Sequence, residues 1–227
     1  MSEPIKIEMV DVEEILIPAA NDTAEEAEPF EEIEVKTQPK KNGGPRFDRE
    51  AVRQRLRGFT WGFGFLWRGN FSKTDLRGAN LSGLDLHAVN FSGANLQGAD
   101  LSRCNLMGAS FIGADLRGAK FDRADAHGSD MHGANASEAS FCEAKLMGAN
   151  MCGMTLTGAD FSLADVHAVK FINSKLTDAS FKGAKIRGVE FHAADLTNVN
   201  FQDSMMHGAN FAGAKGLKGV DLKSLRY

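Results

Sequence analysis

The sequence predicts an all-β solenoid built from square coils, and three observations carry that prediction. An apolar residue, in all but two cases a large one, recurs every five positions from Phe71 to Phe211 without one slip of register. A small residue stands two positions before most of these centres, Ala in seventeen of twenty-nine cases. The eleven centres that are Phe occupy only alternate steps of the walk when four steps are taken as one turn. A strict internal period dictates the architecture, so it is read before any local signal.

A period of five fits neither the 3.6 of a helix nor the 2 of a flat strand. It fits a coil in which each five-residue unit makes one side and twenty residues close a square. The centre and the small residue two before it then face inward, and the other three positions face out. Strand-like stacking at ~4.8 Å per coil turns residues 71–215 into about seven coils and a rod on the order of 35 Å long. Side one is numbered from Phe71, two from Leu76, three from Leu81 and four from Leu86. Every Phe centre falls on side one or three, so aromatic stacks span one diameter while Leu, Ile, Val and Met span the other. The expected core ladder includes Phe71, Phe91, Phe111, Phe121, Phe141, Phe161, Phe181 and Phe201. Leu84 and Met154 are large for inward positions that are normally small, and Ala126 and Ala136 are small for centres. The stretch 121–140 is therefore expected to be the least well packed.

LRGANLSGLDL, SGANLQGADLS and IGADLRGAKF carry this pattern in near-consensus form, and in them the chain resembles the pentapeptide-repeat family. The resemblance covers about two thirds of the sequence and implies a right-handed quadrilateral β-helix. It also implies kinship with the quinolone-resistance members, which mimic B-form DNA and bind DNA gyrase, although the sequence is not close to theirs.

Before the repeat, residues 46–70 predict a basic, aromatic N-terminal cap. Asp48 suits the cap of a short helix over 49–57, with Phe47 and Val52 as a hydrophobic staple and Gly58 as its stop. The alternation from Phe59 to Phe65 predicts a strand. After the repeat, Gly216 occupies a centre, and Leu217 and Leu222 resume one residue late, so 216–227 is expected to cap the C-terminal end. Residues 1–45 carry a net charge of −8 and are expected to form a disordered acidic tail. Within it, Ile5, Ile7, Val10, Ile15, Leu16 and Ile17 stud an acidic segment, where a plain solvated tail competes with a short docking segment that folds onto a sheet edge or partner. No apolar run approaches the ~20 residues of a membrane span, and the acidic start does not resemble a secretory signal. With three cysteines, the expectation is a reduced, cytoplasmic protein.

Catalytic chemistry has little to build on. Nucleophile-elbow, phosphate-loop, zinc-protease and CxxC motifs are all missing from the sequence. His87, His127, His167 and His207 share one outward column in alternate coils, ~9.6 Å apart, too far for neighbouring histidines to hold one zinc. Met107 and Met147 stand between them, where a soft copper site competes with a plain surface ladder; the ladder is the reading adopted. No cofactor, metal site or catalytic residue is predicted, and an enzyme is not expected. Cys104 reads as buried filler, while Cys142 and Cys152 lie on opposite sides and do not pair.

Function is therefore expected on the outer walls. Side three, with Arg103, Asp122, Arg123, Glu143 and Lys182, reads as solvated, and a uniform repeat predicts no cleft. Sides one and four are poorer in charge, and Ile112, His132, Cys152, Ile172, Met107, His127, Met147 and His167 form the candidate interaction surface. The leading expectation is a non-catalytic scaffold for a protein partner, with self-association through a face or an end as one form of it. Two readings rank below it. DNA mimicry toward gyrase needs a dense negative surface, whereas residues 71–215 net only −2. Membrane or nucleic-acid association would use the basic segment 46–68.

Overall fold

Each five-residue unit forms a reverse turn, and that turn sets everything else. The carbonyl of a centre accepts the amide of the residue three positions on, as in Ala79 N–H to Leu76 O at 3.0 Å and Ala119 N–H to Leu116 O at 3.0 Å. The residue two after each centre has positive φ, from 54° to 69° through residue 213, the third-position signature of a type II turn. Glycine recurs there because it alone enters this region without a steric penalty.

A computed structural model describes residues 69–217, and within them these turns stack into a β-helix solenoid. Residues twenty apart pair in parallel: Asn70 with Asn90, then Ser110, Asp130, Asn150, Lys170, Glu190 and Asn210. That column makes seven steps, in agreement with the coil count expected from the period. Most pairings are single bridges; the exceptions are β1 (Lys185–Arg187) and β2 (Met205–His207), which form a parallel pair in the same register. The backbone hydrogen bonds run between coils, as in Phe91 N–H to Ser110 O at 2.7 Å.

The core is the predicted ladder. Phe71, Phe91, Phe111, Phe121, Phe141, Phe161 and Phe181 are fully buried and Phe201 nearly so, and Phe171 and Phe191 belong to the same stacks. Side three stacks Phe121, Phe141 and Phe161 with ring centroids 4.8 Å apart and planes within 13°. Rings from sides one and three meet edge-on, as Phe161 and Phe171 do at 5.6 Å and 83°. Offset stacking along the rod and edge contacts across it satisfy the ring quadrupoles in both directions.

The two oversized inward residues are each answered one coil later. Met154 is followed at twenty residues by Ser174, whose hydroxyl donates to Met151 O at 2.6 Å and accepts Met154 N–H at 3.2 Å. The hydroxyl is thereby inserted into the turn that Met154 disturbs. Leu84 is followed by Cys104, whose thiol donates to Leu81 O at 3.0 Å. In the stretch 121–140, Ala126 and Ala136 are fully buried. Beside them Ser129 is buried with its hydroxyl unpartnered.

At the C-terminal end, Gly216 approaches the preceding coil so closely that a Cβ on it would lie 2.3 Å from Thr197 N. The next residue, Leu217, leaves the five-residue register and packs against the core. The predicted tail 1–45 with its docking residues, the capping helix, the strand near 59–65 and the end of the C-terminal cap lie outside the described residues.

Candidate interaction surface

Residues one after a centre are the first exposed position of each turn, so their side chains point outward by construction. Met107, Ile112 and Met147 are 50%, 44% and 44% exposed. His132 and His167 are also exposed, while His127, Cys152 and Ile172 are half-buried. The structure therefore places all eight predicted residues on two adjoining walls. Beside them Gly108, Gly113, Gly128, Gly133 and Gly148 present bare backbone, since a Cβ at any of these would meet nothing within 4 Å. The corner between the walls carries Ser110, Asp130 and Asn150. The Asn150 amide donates to Asp130 Oδ1 at 3.1 Å, and Asp130 also accepts the His132 amide at 3.0 Å. These bonds hold the corner side chains against the rod, leaving a flat strip in which thioethers, an Ile and imidazoles stand out.

Several charged side chains on the rod are paired in place, on side four as well as on sides two and three. On side two, Arg77 pairs with Asp75 and Arg117 with Asp115, both at 2.6 Å. On side three, Arg123 makes a two-pronged contact with Glu143 of the next coil, 2.9 Å for each nitrogen. The guanidinium hydrogen bonds hold the Asp115 and Glu143 carboxyls below their ordinary range. On side four, the ring Nδ1 of His87 meets Asp85 at 2.7 Å, and His127 contacts Asp125 in the same way. A carboxylate two residues before a polar side chain is built into the repeat, which explains why these pairs recur.

Two features depart from expectation. Side three carries a shallow depression of about 450 Å3, where a uniform repeat predicted no cleft, lined by residues that include Arg103, Asp122, Arg123, Cys142 and Glu143. The repeat is uniform in backbone but not in side-chain length, and long residues at the positive-φ positions of this wall raise rims around shorter neighbours. The Cys142 thiol there is pushed up, first by burial and then by the carboxylates of Asp160, Asp122 and Glu143. That is the opposite of what activates a cysteine nucleophile. The second feature is Leu163, 58% exposed, together with Met205 at 47%, neither of which was singled out from sequence. Leu163 occupies a position usually held by Gly, and its Cδ2 lies 2.8 Å from where a Cβ of Gly183 would be. A bulky apolar residue at a glycine position was the available signal. Among the described residues, no group of three or more His, Cys, Asp or Glu converges as a metal site, and no helix is long and apolar enough to cross a membrane.

These features define a β-solenoid repeat protein whose outer walls, not a cavity, carry its variation. A family model described as pentapeptide repeats matches the chain in eight copies over residues 70–108, 104–141, 137–171 and 174–213. The chain belongs to the pentapeptide-repeat family. No protein of curated function matches it in sequence. Among solved structures it is similar to HetL, a pentapeptide repeat protein involved in heterocyst differentiation regulation from the cyanobacterium Nostoc sp. strain PCC 7120. That match has 27% identity, covers 66% of this chain and 73% of HetL, and has a TM-score of 0.38. It is similar also to AT2G44920, a pentapeptide repeat protein of the Arabidopsis thaliana thylakoid lumen, at 32% identity over 54% of this chain and 71% of that one, with a TM-score of 0.40. A trypsin-treated QnrB1, a plasmid-mediated fluoroquinolone resistance protein, matches at 24% identity over 64% and 78% of the two chains, with a TM-score of 0.34.

Proposed function

We propose that this protein is a non-catalytic scaffold that docks a protein partner on the strip formed by sides one and four. The observation that carries the reading is the contrast between walls. Sides two and three hold Arg77, Arg117 and Arg123 on their own carboxylates. The adjoining strip offers exposed Met107, Ile112 and Met147 beside bare glycine backbone. Apolar side chains on a flat, low-charge surface favour a partner that brings its own apolar residues and excludes water from the centre of contact. The DNA-mimic alternative is disfavoured by charge, because residues 71–215 net only −2, far from the density of a duplex phosphate backbone.

The test is co-purification of the native complex with three versions of the full-length protein. One combines Met107→Glu, Ile112→Lys and Met147→Glu; one is Arg117→Glu on side two; one lacks residues 1–45. Placing charge at the centre of the contact should weaken partner recovery at least tenfold, about 1.4 kcal/mol. The Arg117→Glu version should recover it normally. A partner retained by the triple variant, or lost only when residues 1–45 are removed, would overturn the assignment.

A further inference from the structure

One outward column is chemically unlike the rest. On side four, Met107, His127 and Met147 stand on three successive coils, locked in register by Gly108 N–H to His127 O at 2.9 Å and Gly128 N–H to Met147 O at 2.9 Å. Histidines two coils apart cannot share an ion, but neighbours in this column are one strand spacing apart, ~4.8 Å. Two donors bound to one metal at about 2.0–2.3 Å lie no farther apart than roughly 4.5 Å. Met107 and Met147 are themselves two spacings apart, ~9.6 Å, so each thioether must lean roughly 2.5 Å toward His127 for both sulfurs to reach one ion with the intervening imidazole. Three rotatable bonds allow methionine that reach, which a rigid imidazole ring lacks.

The imidazole between them is already oriented. His127 Nδ1 contacts Asp125 Oδ1, so a neutral ring directs Nε2, its acceptor, away from that carboxylate. A carboxylate on the far nitrogen is the arrangement that fixes tautomer and ring direction in metal-bound histidines. Met107 and Met147 are about half exposed, and the residue following each of the three column members is a glycine whose Cβ position is open. The outer side of the column is therefore open to solvent. Lys145 Nζ lies 4.0 Å from Asp125 Oδ2 and competes for that carboxylate.

We propose that Met107, His127 and Met147 form a binding site for one soft monovalent cation, Cu+ in biological terms, with Asp125 as the positioning residue of His127. Thioether and imidazole donors favour Cu+ over harder ions such as Mg2+ or Ca2+, and a three-coordinate S–N–S set satisfies it without a thiolate. The site shares residues with the proposed docking strip but does not depend on it, since metal binding is read on the isolated protein.

Full-length protein carrying Cys142→Ser and Cys152→Ser, which removes the two accessible thiols, is titrated with Ag+ as a redox-stable probe and with Cu+ against a chromophoric chelator. Methyl-13C-methionine spectra report which thioethers move. The expected result is one tight equivalent, with the Met107 and Met147 methyl resonances shifting together. Met107→Leu, Met147→Leu and His127→Gln should each weaken binding at least tenfold, whereas Met205→Leu should leave it unchanged. Equal affinity in the Met107→Leu and Met205→Leu proteins, or Ag+ shifts spread evenly over all methionines, would overturn the proposal. If Met107→Leu simply failed to fold, Asp125→Asn would decide: it should weaken binding while leaving the two methionine shifts coupled, and no change in affinity would count against the site.

Discussion

Ser129 and Ser174 occupy the same inward position of their repeats, and both are buried at 1% exposure. Replacing each by Ala should nevertheless shift stability in opposite directions. The Ser129 hydroxyl has no partner, so the folded state bears its desolvation, about 1–3 kcal/mol for a buried unsatisfied polar group. Removing the oxygen leaves a void of roughly 10–15 Å3, and at about 24 cal/mol per Å3 that costs only ~0.3 kcal/mol. The desolvation effect wins, and Ser129→Ala should stabilise by about 1 kcal/mol or more. Ser174 holds Met151 O at 2.6 Å and Met154 N–H at 3.2 Å. Its replacement strands a buried carbonyl and a buried amide, a loss of about 2 kcal/mol or more. Thermal denaturation followed by circular dichroism gives both midpoints, and for a chain of this size 1 kcal/mol corresponds to roughly 2–4 °C in Tm. Shifts of the same sign, or a destabilised Ser129→Ala protein, would refute the reasoning that satisfaction of the hydroxyl decides.

Gly216→Ala would set a Cβ 2.3 Å from Thr197 N and 2.4 Å from Thr197 Cα, backbone atoms that cannot swing aside. The C-terminal residues should detach, seen as fast hydrogen exchange over 211–217. By contrast, Gly108→Ala, with φ +64° and open space around its Cβ, should cost only about 1–2 kcal/mol. Glu143 has its pKa lowered by Arg123, so its favourable contribution is present above the unfolded carboxyl range and lost as pH falls through the depressed folded value. In Arg123→Gln the side-chain carboxyl resonance of Glu143 should titrate at higher pH than in the parent protein, and an unchanged midpoint would show that the pair does not persist in solution.

The period of five, the twenty-residue turn, the inward Phe ladder and the two walls of low charge were all legible in the sequence. Each is set by local turn geometry repeated with the same chemistry, so one unit predicts the next. Which of two inward serines would find a partner was not legible, because that depends on what lies one coil away: Met154 disturbs a turn that Ser174 repairs, while Ser129 has no such neighbour to serve. The depression on side three and the exposure of Leu163 likewise arise from side chains of unequal length meeting across coils. The chain alone determined which atoms face inward and which face out. Only the stacked structure decided which polar atoms are satisfied and how the outer walls are shaped, because hydrogen bonds and surface relief belong to pairs of residues twenty apart rather than to any single repeat.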